Sequence, residues 1–108
     1  MDVTPLQRLL DSGRDSALLR LSLGKALLDA GEPGLARPHL QRCIELDSAY
    51  SAGWKLLGKA CLADGEAAAA AQAWQRGIAV AHGNGDQQAG KEMTVFLRRA
   101  LKALPPPG

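Results

Sequence analysis

The chain has 108 residues and a formal net charge of +2, and aromatic side chains make up only 4% of it. This length predicts a single domain, and the Leu- and Ala-rich composition favours close-packed helices over β-sheet. The charge is too close to neutral to indicate nucleic-acid binding. No apolar run approaches the roughly 18 residues of a membrane span. Because residues 1–5 also lack the basic and apolar parts of a signal peptide, we expect a soluble cytoplasmic protein.

Helix signals begin close to the N-terminus. Thr4-Pro5 combines a capping residue with a proline at the first helical position, which predicts a short helix that stops at Gly13. Asp15 or Ser16 is placed to cap a second helix that runs to about Asp29. Glycine follows shortly after that position, as is typical of helix C-termini.

A third helix is predicted to follow at once, because Glu32-Pro33 suits the first turn of a helix. Pro38 lies one turn further along and cannot donate a backbone hydrogen bond. We therefore expect the regular part to begin near Gly34 and to bend near Pro38. Asp47-Ser48 ends this helix and is expected to cap a fourth one over residues 49–63.

The remaining signals predict two more helices. A fifth spans about residues 66–81 and is followed by a glycine-containing break at residues 82–86. Asp86 is placed to cap the sixth, whose apolar positions recur with helical spacing. These positions are Ala89, Met93, Phe96, Leu97, Ala100, Leu101 and Leu104. The proline-rich residues 105–108 are predicted to form a disordered tail.

Internal similarity with a period of 34 residues organises these helices. Leu23-Gly24-Lys25-Ala26 matches Leu57-Gly58-Lys59-Ala60 at this offset. One period earlier, Leu6-Gln7-Arg8-Leu9-Leu10 aligns with Leu40-Gln41-Arg42-Cys43-Ile44, so the chain begins with a lone second helix of a repeat. Within each repeat we expect contacts between small residues, Gly24 with Ala36 and Gly58 with Ala70, to let the two helices nest.

A helix-turn-helix unit of this length that carries Trp54, Leu57, Gly58, Ala70 and Trp74 resembles the tetratricopeptide repeat. The resemblance covers roughly residues 2–82 and implies an all-α, TPR-type α-solenoid of antiparallel helix hairpins with about six helices. Both tryptophans are then core anchors. The single domain of residues 1–104 divides into a half-repeat (3–12), two repeats (17–50 and 51–84) and a terminal helix (86–104).

The resemblance also implies a function. Proteins of this family bind extended peptides on the concave surface formed by the first helices of the hairpins. The corresponding positions here are Leu18, Leu21, Lys25, Leu28, Ala52, Lys55, Lys59 and Leu62. The lysines predict a preference for an acidic peptide or a terminal carboxylate, with Lys91, Arg98 or Lys102 of the last helix adding to the groove. Lysines on helix surfaces are most often solvated, however, so general groove contacts or solubility are the more common role for such residues.

Other functions and several individual side chains were also considered from the sequence. Self-association through the end helices is the alternative function, and RNA binding through Arg98, Arg99 and Lys102 is a weaker one. No catalytic constellation is recognisable, so we predict a protein that is not an enzyme and needs no cofactor. His39 and Cys43 share a helix face but lack further ligands, so no metal site is predicted. Cys43 and Cys61 are expected to be reduced core thiols. Arg8, Arg42 and Arg76 recur at the same position of the second helices, which predicts a repeated packing or ion-pair feature.

Overall fold

The computed structural model describes residues 3–105, and every regular element within that range is an α-helix, which confirms the predicted all-α class. Of the predicted tail, residues 106–108 lie outside the described range. No helix between residues 3 and 105 is both long and apolar enough to cross a membrane. The helices are α1 (Thr4–Asp11), α2 (Ala17–Asp29), α3 (Pro33–Leu46), α4 (Ser51–Ala63), α5 (Ala67–Asn84) and α6 (Gln87–Ala103).

The helices stack as hairpins that are closer together on one side than on the other. α2 packs with α3, α4 packs with α5, and α6 continues the stack on α5. α2 also contacts α4 and α4 contacts α6, whereas α3 and α5 do not contact each other in the described part of the chain. This unequal spacing curves the stack, so α2, α4 and α6 form its inner surface while α3 and α5 lie on its outer side.

Each hairpin is closed by a large side chain that lies over a glycine. The atoms that a Cβ on Gly24 would meet first belong to Leu40, and those that a Cβ on Gly58 would meet first belong to Trp74. The expected contacts of Gly24 with Ala36 and of Gly58 with Ala70 stay predictions, but the large side chains of Leu40 and Trp74 come closest to the glycines. The glycines make room for a bulky anchor, and the alanines are buried beside it with 0% exposure.

The first repeat has Arg20 at the position that Trp54 holds in the second. Both side chains reach back to the segment that precedes their helix: Trp54 Nε1 donates to the carbonyl of Ser48 (2.9 Å), and Arg20 Nε donates to Asp15 Oδ1 (2.8 Å). Arg20 lowers the pKa of the Asp15 carboxyl through this hydrogen bond. The first hairpin thus has an ion pair where the second has an apolar anchor.

α3 agrees closely with its predicted bounds, whereas α5 continues further than the sequence predicted. α3 begins at Pro33 and runs without interruption through Pro38. The carbonyl that loses its helical donor there belongs to Gly34, which is exposed, so water can hydrate it. α5 continues through His82 and Gly83 to Asn84 because the Asn84 side-chain amide donates to the carbonyl of Ala49 (2.7 Å).

The break before the last helix is correspondingly narrower than predicted. Instead of spanning residues 82–86, it is confined to Gly85, in the left-handed region at φ 71°, and Asp86. The Asp86 carboxylate then accepts from the backbone of Ala89 (3.2 Å), which confirms its predicted capping role. Ser16 caps α2 in the same way, accepting from the backbone of Leu19 (3.1 Å).

Candidate functional site

All eight residues predicted for peptide binding lie on α2 or α4, the first helices of the two hairpins, but their depths differ. Leu18 and Leu62 are exposed, at 63% and 36%. Leu21 and Leu28 are half-buried and pack against the core. Fewer of the predicted leucines are therefore fully exposed for contact with a peptide than the sequence pattern alone indicates.

The three groove lysines have different partners. Lys25 forms an exposed ion pair with Asp29 on its own helix, with Nζ 3.1 Å from Oδ2. Lys55 crosses from α4 to α6 and lies 3.2 Å from Glu92 Oε2, and its hydrogen bond lowers the pKa of the Glu92 carboxyl. Lys59 lies over the ring of Phe96, 4.9 Å from its centroid. Of the three, only Lys59 has no carboxylate in direct contact among the described residues.

A cavity of about 270 Å³ opens on the inner surface between α4 and α6. It joins aliphatic and aromatic side chains to two cations, and the residues around it are Lys59, Leu62, Ala63, Trp74, Phe96 and Arg99. The ring centroids of Trp74 and Phe96 are 5.4 Å apart, so the aromatic wall of this cavity is packed rather than loose. An anionic group with an apolar neighbour fits this combination.

Three residues of this surface were not assigned to peptide binding from the sequence: Glu92, Phe96 and Arg99 of α6. They recur at i, i+4 and i+7, so they share one stripe of the helix. The 34-residue alignment failed beyond residue 84, because α5 is longer than α3, and the inner face of α6 was not assigned from it. The helical spacing of Glu92, Phe96 and Arg99 within α6 is the sequence signal that could have identified them.

Two other cations of α6 border a different cavity from Arg99. Lys91 and Arg98 line a second cavity of about 580 Å³ between α5 and α6. Arg98 and Arg99 thus border different cavities, so the basic face suggested for RNA binding is divided between two sides of the helix. This division disfavours a continuous nucleic-acid surface.

The outer side of the stack has a cavity of about 810 Å³ between α3 and α5. Arg37 of α3 spans to Asp64, with Nη1 3.0 Å from Oδ2, and Arg76 of α5 lines the same cavity.

Arg42 lies 3.6 Å from both Asp15 and Glu45, so the predicted ion-pair feature exists at this position of the first repeat. The same interaction is not repeated at Arg76 within residues 3–105.

The two cysteines and His39 are the side chains considered as possible nucleophiles or metal ligands, and their surroundings favour a structural role. Cys43 and Cys61 are free thiols and are buried as predicted, and burial raises the pKa of Cys43 to about 11. A thiol with a raised pKa is a poor nucleophile near neutral pH. His39 Nδ1 lies 3.1 Å from Arg20 Nη1. Burial is the main cause that lowers the pKa of the imidazole, and the nearby guanidinium of Arg20 lowers it further.

Comparison with known proteins agrees with the curved stack of hairpins. The sequence model of the family described as tetratricopeptide repeat matches residues 21–87. The chain belongs to the tetratricopeptide-repeat family. It is 56% identical over 103 residues to TPR repeat-containing protein PA0015 of Pseudomonas aeruginosa, covering 95% of this chain and 98% of that one. It is also similar to the solution structure of protein BPP2914 from Bordetella parapertussis, with a TM-score of 0.82 and 41% identity over 95% of this chain and 90% of the other.

Membership of the TPR family has a functional consequence at a coarse level. The family indicates a protein–protein interaction module, and its members are generally non-catalytic. It also implies that the partner of this TPR chain is another protein. Which surface binds, and which partner chemistry it recognises, has to be argued from the side chains.

Proposed function

We propose that this TPR chain is a non-catalytic interaction module whose inner surface binds an extended peptide that is acidic or ends in a free carboxylate. The binding residues are those predicted on α2 and α4, joined by Phe96 and Arg99 of α6. The observation that carries the proposal is the cavity in which Lys59 and Arg99 flank apolar side chains. A carboxylate placed between these cations gains charge-assisted hydrogen bonds while the neighbouring peptide side chain buries apolar surface.

The lysines are expected to differ in importance because their present partners differ. Lys59 needs to break no ion pair in order to accept a ligand carboxylate, whereas Lys55 is shared with Glu92 and Lys25 with Asp29. The Lys25–Asp29 pair is exposed and the Lys55–Glu92 pair is partly exposed, so water and salt screen both pairs and neither is expected to contribute much to stability. Replacing the lysines should therefore affect binding more than folding.

The test uses a displayed library of extended peptides with free C-termini, selected on the wild-type protein, and then measures the affinity of the enriched sequences. We expect enrichment of Asp, Glu or a C-terminal apolar residue. The triple variant Lys25→Glu, Lys55→Glu and Lys59→Glu should bind the selected peptides at least about tenfold more weakly while its helical content and Tm stay nearly unchanged. C-terminal amidation of the peptides separates recognition of the terminal carboxylate from recognition of acidic side chains.

A matched control reverses three arginines that are not among the proposed binding residues, namely Arg8, Arg14 and Arg76. This variant has the same change in net charge and should retain wild-type affinity. Equal weakening by both variants would mean that only net charge matters. Unchanged affinity of the lysine variant would reject the inner-surface site.

Self-association through the end helices is the second candidate, favoured by apolar side chains that remain exposed at both ends of the stack. Leu9 is 40% exposed on α1, and Leu101 is 48% exposed on α6. A stable dimer in sedimentation at low micromolar concentration would support this function, and a monomer would remove it. We place either function in the cytoplasm, where the two unpaired thiols stay reduced.

A further inference from the structure

α6 has a second candidate binding surface that faces away from the inner one. Lys91, Val95 and Arg98 recur at i, i+4 and i+7 and therefore form a stripe separate from Phe96 and Arg99. Together with the C-terminal half of α5 this stripe encloses the groove of about 580 Å³. Its floor contains small and aliphatic side chains, including Ile78, Ala81, Gly90 and Val95.

This groove lies at the place where another helix of the stack would pack. α6 packs on α5 and contacts α4, just as α4 packs on α3 and contacts α2. In the complete hairpins a second helix covers the first, but no helix within residues 3–105 covers the open side of α6. Val95 and Leu101 are consequently 43% and 48% exposed. The apolar side chains in the floor of the groove are therefore not covered by a helix of the described chain.

The rim of this groove is positively charged and its charges are not used within the molecule. Lys91 and Arg98 are exposed, and neither pairs with a carboxylate in the described part of the chain. Asp86, the acidic residue beside the groove, is already engaged by the hydroxyl of Ser51 (2.9 Å) and by the α6 cap. The apolar side chains of the groove therefore lie beside two cations that lack counter-charges.

We propose that the groove between α5 and α6 docks an amphipathic α-helix of a partner protein, with the apolar stripe of that helix on Ile78 and Val95 and its acidic side chains facing Lys91 and Arg98. A second copy of this chain fits less well, because the short helix α1 would bring Arg8 towards the same cations. RNA also fits less well, because no Phe, Tyr or Trp of the described residues lines the groove to stack on a base. This site is separate from the peptide surface proposed on α2 and α4.

The test uses two synthetic 18-residue peptides with the sequence of α5, a helix of the type that packs on the first helix of a hairpin. One carries Gln72→Glu, Gln75→Glu and Arg76→Glu, and the other carries lysine at the same three positions. Fluorescence anisotropy measures affinity, and amide chemical-shift changes locate binding. The wild-type protein should bind the acidic peptide at least about tenfold more tightly than the basic one. The shifts should cluster at Ile78, Gly90 and Val95.

The variant Lys91→Glu with Arg98→Glu should reverse this preference and bind the basic peptide more tightly. Arg8→Glu with Arg14→Glu has the same change in net charge and should keep the wild-type preference, and circular dichroism confirms that both variants are folded. The proposal is overturned by an absent preference, by equal effects of both variants, or by shifts centred on Phe96. It is also overturned if Lys91→Glu with Arg98→Glu instead dissociates a homodimer, or abolishes poly(U) binding while leaving the peptide preference unchanged.

Discussion

At the scale of single residues, the helix hairpins depend on glycines that provide space rather than unusual backbone angles. Gly58 lies inside α4, and the indole of Trp74 occupies the space where a side chain would begin. Trp74 is 1% exposed, and its Nε1 donates to the carbonyl of Lys55 (3.1 Å), so the ring has no room to withdraw. A glycine inside a helix costs about 1 kcal/mol relative to alanine. At this position the loss of helix propensity is offset by burial of the tryptophan.

The substitution Gly58→Ala should destabilise the protein by about 1–3 kcal/mol, because overpacking against the fixed indole outweighs the gain in helix propensity. Gly83→Ala is the matched control, since Gly83 also lies within a helix and a Cβ added there would meet nothing within 4 Å. The control should be stabilising by about 0.5–1 kcal/mol. Chemical denaturation of both variants checks the pair. Equal stabilisation by both would show that Trp74 moves aside easily.

At the scale of helices, the sequence predicted the existence and the order of the six helices well, but it predicted their boundaries less well. The caps at Ser16 and Asp86 were identifiable because each is followed by an apolar helical pattern. The extension of α5 to Asn84 was not, since it depends on a hydrogen bond to Ala49, 35 positions earlier in the chain. The inner-surface lysines were found from the repeat, whereas Phe96 was missed because its neighbour Lys59 lies across a helix interface. Local pattern predicts helices, but contacts between distant segments set their ends and their partners.

The two prolines of α3 provide a prediction about helix position. Pro33 is at the first helical position, where its missing N–H is not needed, but Pro38 is inside the helix and removes one backbone hydrogen bond. Pro38→Ala should therefore stabilise the protein by about 1–3 kcal/mol. Pro33→Ala should instead cost up to about 1 kcal/mol, because it increases the entropy of the unfolded chain. Thermal unfolding of the two variants should give Tm shifts of opposite sign, and parallel shifts would contradict this account.

At the scale of the whole molecule, the core is continuous but the contacts that form it are between neighbours. Buried apolar side chains extend from Ala36 in α3 to Ala100 in α6. α2 nevertheless has no contact with α5 or α6 among the described residues, so the two ends communicate only through α3 and α4. Stability in such an array approximates a sum of helix and interface contributions. A destabilising substitution at one end of the stack should consequently lower the stability of that end most.

Met93 and Leu23 allow this expectation to be tested, because both are fully buried, one in α6 and the other in α2. Truncation of either side chain to alanine should cost about 2–5 kcal/mol. If coupling is between neighbours, Met93→Ala should lower hydrogen-exchange protection mainly in α5 and α6, and Leu23→Ala mainly in α2 and α3. The two variants are each other's control, since they are similar in burial and differ in position. A uniform loss of protection along the chain in both would show a single cooperative unit, and the open groove at α6 would then have the same stability as the interior of the stack.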